Sequence, residues 1–136
     1  MNSLASASSV LRLGLHVLAA TVWVGGQFVM AGLVPALRTL DPNAPRVAAQ
    51  RFARLSWPAF WLLIATGVWS YAAVHGNTTS SAWNTAFALK MGAVVLSGVG
   101  AFLHTRATTP KSRGIWAGVS ALASVGALLL GVALAG

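Results

Sequence analysis

The chain contains no cysteine and one acidic residue, Asp41, in 136 positions. Without cysteine there are no disulfides, thiolate metal centres, iron–sulfur clusters or thiol nucleophiles. A single carboxylate excludes mechanisms built on a carboxylate pair, and oxygen-rich cages for calcium or magnesium. Charge of either sign is scarce. Charged types make up 7% of the residues, where a soluble domain carries about 25%, so a water-facing surface cannot be covered.

What replaces charge is apolar. Hydrophobic types reach 57% and the mean hydropathy is +0.74, which indicates an integral membrane protein. A spanning helix needs about 20 mostly apolar residues. Four segments qualify, at about 10–36, 57–74, 82–104 and 114–135. The expected fold is an all-α integral membrane protein, a four-transmembrane-helix bundle forming one domain over residues 1–136. The first segment exceeds the apolar core of a cleavable signal peptide, and no basic residue precedes Arg12, so it reads as a retained, tilted span. Pro35 is expected to limit regular helix near its end. Asp41-Pro42 and Ala44-Pro45 are expected to break the chain after it, with a short interfacial helix to follow. Ser56-Trp57-Pro58 reads as a helix start, with serine as cap and proline in the first turn.

The net charge of +8 sits mainly in two connections. Residues 37–56 hold Arg38, Arg46, Arg51 and Arg54, and residues 105–113 hold Arg106, Lys111 and Arg113. The middle connection, HGNTTSSA, holds no Lys or Arg. The positive-inside rule puts the two basic connections in the cytoplasm and both termini outside. The basic loops then serve topology and attraction to anionic lipid, at about 1 kcal/mol per residue. No aromatic–basic interleaving supports nucleic-acid binding. The expected setting is the bilayer of a bacterial plasma membrane. Asn77-Thr78-Thr79 matches a glycosylation acceptor, but its closeness to the membrane makes it a chance match.

Small residues recur at every fourth position: Ala123, Ala127, Gly131 and Ala135 in the last span, and Ala93, Ser97 and Ala101 in the third. Such stripes let backbones approach closely in lipid. They fit a compact bundle, a homo-oligomer or a contact within a larger membrane complex. Trp57, Trp61, Trp69, Trp83 and Trp116 lie mostly towards span ends, as interfacial anchors do. Thr66 and Ser70, four residues apart, can bond back to their own helix or bridge to a neighbour.

Three polar side chains within the spans carry the chemical interest. Lysine at a helix centre costs about 2.5–3.5 kcal/mol to insert. Lys90 is about eight residues into its span, roughly 12 Å, so it either snorkels to the surface or presents a buried amine to a cavity. His16 is about seven residues into the first span, roughly 10 Å deep. Both helices run in the same direction, so the two nitrogens are expected at one level in the outer half of the bundle. Two such bases can flank a planar macrocycle, hold a metal or relay protons; a lone buried histidine can equally be a structural hydrogen-bonder. His16, Ala20, Trp23, Gln27 and Met30 form one seam, with Ala20 leaving space at His16 and Gly25 and Gly26 thinning the helix beside Trp23 and Gln27. His75 at the outer end of the second span can join His16 around a metal, or be a loop residue. His104 is expected among headgroups. Met30 and Met91 are soft potential copper ligands, but Met30 lies too near the inner end to share a site with His16.

Three segments together resemble a known family. LHVLAATVWVGGQF, with His16, Trp23 and the following glycines, resembles the first helix of the copper-resistance D (CopD) family and of the related HemJ membrane protoporphyrinogen oxidases. RFARLSWPAFWLLIATGVW, with Thr66-Gly67, resembles the segment entering their next helix, and FALKMGAVVL resembles the helix that carries a lysine, here Lys90. The resemblance covers most of residues 14–104. It implies haem b associated with His16 and Lys90 in the porphyrin-oxidising branch, and copper handling in the other. The glycines after Trp23 fit the copper-resistance branch. Phe87-Ala88-Leu89 stands where the oxidase pattern has tryptophan and histidine before the lysine. Three functions follow as expectations: a haem- or copper-binding membrane protein using His16 and Lys90, with Trp23 and Gln27 beside the site; an accessory subunit of a larger membrane complex; or a protoporphyrinogen oxidase.

Overall fold

The structure is a computed structural model that describes residues 3–74 and 80–135. Every regular element among these residues is helical. Helix α1 spans Ala7–Ala20, a π-helical turn covers Thr21–Gly25, and α2 spans Gly26–Leu40. These three are continuous, with helical dihedrals at both junctions, and form one 34-residue rod. Helix α3 spans Ala44–Val74, α4 Ser81–Arg106 and α5 Pro110–Ala135. The α1–α2 rod, α3, α4 and α5 are each long and apolar enough to cross a membrane. The architecture is that of a multi-pass membrane protein.

Outward surfaces agree with this reading. Val17, Leu18, Trp61, Leu89, Leu122, Leu129 and Val132 are all exposed, and together they would be an aggregation liability in water. In hydrocarbon they need no cover.

The helix starts have local causes. Ser6 caps α1 by accepting from the Ser9 amide, and Ser80 caps α4 by accepting from the Trp83 amide. Thr109 accepts from the Ser112 amide, and Pro110 occupies the first turn of α5, where its missing N–H costs nothing. The expected start at Ser56-Trp57-Pro58 is not one: α3 begins at Ala44, Ser56 is buried within it and Pro58 lies in its interior. Proline removes one hydrogen bond to the carbonyl four residues back, here that of the exposed Arg54. The helix therefore survives, and much of the first basic connection, from Ala44 onward, is helical rather than broken. Pro35 likewise does not end its rod, which continues to Leu40. The break falls at Asp41–Asn43, where the Asp41 carboxylate accepts from the Asn43 amide at 2.6 Å. The lone acidic residue thus shapes a turn.

The chain divides into two compact units, residues 1–76 and 77–136. In the first, the α1–α2 rod packs antiparallel on α3, burying Ala19, Trp23, Ala59, Phe60 and Leu63. In the second, α4 and α5 pack as an antiparallel hairpin on small residues: Ser97, Gly98, Gly100, Ser120, Ser124 and Ala127 are buried. The Ser120 hydroxyl donates to the Ser97 carbonyl at 2.8 Å, and Ser97 donates to the Val94 carbonyl at 2.7 Å. A buried hydroxyl thus bridges the two helices near the point where Gly100 faces the Ser120 backbone. His104 Nδ1 donates to the Arg113 carbonyl at 2.8 Å, so this histidine closes the α4–α5 connection.

Candidate functional site

The first unit holds a short polar ladder between α1 and α3. Arg12 and His16 are one helical turn apart on α1; Thr66 and Ser70 are one turn apart on α3. Because the helices are antiparallel, the pairs meet in register. Arg12 Nη1 donates to Ser70 Oγ at 2.8 Å, and His16 Nδ1 lies 2.7 Å from Thr66 Oγ1. Thr66 is buried and its hydroxyl donates to the Leu62 carbonyl at 2.7 Å. A hydroxyl has one proton. When that proton is on Leu62, Thr66 accepts from His16, and Nδ1 then carries the imidazole proton with the basic lone pair on Nε2. This is the arrangement found behind metal-ligating histidines, where a hydrogen bond on one ring nitrogen fixes the tautomer and raises the basicity of the other.

Below the ladder lies an aromatic layer. Trp23 is 3% exposed, and its ring centroid is 5.3 Å from Trp57 and 4.6 Å from Phe60. Further along, Gly26 faces Phe52 so closely that a β-carbon there would overlap the ring edge. Gly26 is the glycine of the Gly25-Gly26 pair whose smallness is used; nothing lies within 4 Å of a β-carbon at Gly25.

Trp23 sits inside the π-helical turn, which the sequence reading did not foresee. Such turns insert one residue into a helix and recur at functional sites. Thr21, its first residue, donates to the Val17 carbonyl at 2.8 Å, and Gln27 Nε2 donates to the Trp23 carbonyl at 3.0 Å. Gln27 therefore supports the backbone of the turn that positions Trp23. Along the expected seam, Ala19 rather than Ala20 is the fully buried small residue above Trp23.

Lys90 belongs to the second unit. Its Nζ would lie 3.2 Å from a β-carbon at Gly131, so the glycine leaves room for the ammonium head on α5. Gly131 was expected only as a packing residue of a small-residue stripe. His16 lies nine residues from the start of α1 and Lys90 nine residues from the start of α4, roughly 13.5 Å along each helix. Met30 is half-buried on α2, 14 residues or roughly 21 Å from His16 along the rod. His75 falls outside the described residues, as does the Asn77-Thr78-Thr79 motif. Among the described residues, no three His, Cys, Asp or Glu side chains come together.

Neither a family model, nor a curated protein, nor a solved structure matches the chain.

Proposed function

We propose that the chain is a haem b-binding protein of the bacterial plasma membrane, with both termini outside and His16 as the iron ligand through Nε2. The observation that carries this reading is the His16–Thr66–Leu62 hydrogen-bond chain, which is compatible with the tautomer that a ligating imidazole needs. The donor set of the first unit fits the group. A porphyrin brings most of the iron's ligands itself, so the His16 imidazole alone would be enough to hold it. A copper ion held by side chains alone asks for several. Trp23, Trp57 and Phe60 pack on one another roughly 10 Å further along the rod and make the interior of the first unit apolar. Bound haem would supply one-electron chemistry; the protein's part is the ligand, its tautomer and a dry setting. The resemblance of the three segments to CopD- and HemJ-type proteins supports the same reading, and the distribution of basic residues supports the orientation.

The test is the absorption spectrum of protein purified in detergent after expression with haem precursor and copper supplied. A Soret band that is lost or shifted in His16→Ala supports the reading; its absence from the wild type overturns it, whether or not copper is bound. The spectrum of Lys90→Met assigns that amine either to the haem environment or to packing against Gly131.

A second reading, an accessory subunit of a larger membrane complex, draws on glycines that face outward. Gly14, Gly32 and Gly92 are exposed, and nothing lies within 4 Å of a β-carbon at any of them. Such positions admit the backbone of another membrane helix. A monodisperse particle without partners after gentle solubilisation counts against it. The oxidase reading is tested by complementation of a strain lacking protoporphyrinogen oxidation.

A further inference from the structure

Arg12 is a half-buried cation on an apolar helix, and the chain has almost nothing acidic to offer it. The single acidic side chain, Asp41, lies beyond the opposite end of the same rod, roughly 43 Å away along the axis. Yet the guanidinium is held in place: Nη1 donates to Ser70 at 2.8 Å. One of its five donors is used in that bond. The same seam holds His16 one turn further on, fixed by Thr66 as Arg12 is fixed by Ser70. An immobilised cation and an immobilised imidazole therefore stand one helical turn apart, both turned to α3.

We infer that Arg12 recognises a carboxylate on the ligand of His16. The inference rests on the haem reading above and specifies which part of the macrocycle each residue takes. A haem b molecule has its metal at the centre and its two carboxylates at one edge. His16 takes the metal and Arg12, oriented by Ser70, takes an edge carboxylate. Guanidinium suits this task because its planar fork matches a carboxylate bidentately, and the pair is stronger in a low-dielectric setting than in water. The arrangement also supplies the counter-charge that the chain itself lacks near Arg12.

The experiment titrates detergent-purified apoprotein with haem b and with haem dimethyl ester, following the Soret band. The ester keeps the iron and the ring but has no carboxylate. The wild type is expected to bind the free acid at least about tenfold more tightly than the ester. Arg12→Gln is expected to weaken free-acid binding about tenfold and leave ester binding unchanged, so the preference disappears. Unchanged ester binding also shows that the variant is folded. Arg12→Lys should retain part of the preference. Equal binding of acid and ester by the wild type, or a preference that persists in Arg12→Gln, overturns the inference while His16-dependent haem binding stands. If Arg12 instead serves a lipid phosphate, Arg12→Gln loses thermal stability in anionic but not zwitterionic nanodiscs with its haem preference intact, which also overturns it. No Soret band with either compound removes the haem reading and this inference with it.

Discussion

A side-chain carbon at Gly100 would stand 2.9 Å from the backbone nitrogen of Ser120 and 3.2 Å from its Cα. Backbone cannot step aside as a side-chain tip can. Gly100→Ala should therefore force α4 and α5 apart at the point where Ser120 donates to the Ser97 carbonyl, at a cost of about 1–3 kcal/mol. Two matched substitutions calibrate the result. At Gly131 the neighbour is the flexible end of Lys90, so Gly131→Ala should cost less; at Gly92 nothing is near, so Gly92→Ala should be neutral or mildly stabilising. Thermal unfolding of the three variants in one detergent checks the order. Equal midpoints for Gly100→Ala and Gly92→Ala would show that the hairpin is looser than described.

Thr66→Val keeps the shape of the side chain and removes the hydroxyl that links His16 to the Leu62 carbonyl. Loss of an outer-shell partner of a ligating histidine typically lowers affinity 10- to 100-fold. On the proposed haem reading, affinity for haem should fall by about that factor in Thr66→Val, with helical content unchanged, and Thr66→Ser should restore most of it. A Soret titration indistinguishable from wild type in Thr66→Val would mean that the hydroxyl plays no part in setting the imidazole.

Trp23 is the most deeply buried large side chain of the first unit, against Trp57 and Phe60. Trp23→Ala should cost about 3–5 kcal/mol, because the rod can collapse only partly into the space left. Trp23→Phe should cost less, since the contact with Phe60 is retained. Chemical unfolding followed by circular dichroism measures both. A loss below about 1 kcal/mol for the alanine variant would place the tryptophan outside the core.

Much of this was legible in the sequence. The four apolar segments fall within the four long helices, because in lipid the backbone must satisfy itself and a helix is the economical way to do so. The polar ladder was half legible: Thr66 and Ser70 were readable as bridging residues, but their partners depend on the antiparallel register of α1 on α3, which local pattern does not encode. Helix boundaries were less readable where proline was involved. Pro58 resembles a helix start in isolation; in context the preceding Ala- and Arg-rich stretch is helical in its own right, and one lost bond does not break it. The π-helical turn at Thr21–Gly25 had only faint marks, a threonine before the tryptophan and two glycines after it. Ala19, one regular helical turn before Trp23, takes the buried place expected of Ala20.

Orientation across the membrane can be checked cleanly because the chain has no cysteine of its own. Single cysteines introduced at exposed positions become the sole targets of a membrane-impermeant maleimide. Asn43 lies in the turn between α2 and α3, and Thr108 lies between α4 and α5; both connections carry or adjoin the basic residues Arg38, Arg46, Arg106 and Lys111. Ser8 and Ser81 lie in the first turns of α1 and α4, next to no Lys or Arg within three residues. In intact bacterial cells, Ser8→Cys and Ser81→Cys should be labelled at once, and Asn43→Cys and Thr108→Cys only after permeabilisation. This follows from the retention of Lys and Arg on the cytoplasmic side during insertion. The reverse pattern would put Arg12 and the His16 ladder near the cytoplasmic face. A mixed pattern, with Ser8 and Ser81 on opposite sides, would mean that one of the four helices does not cross.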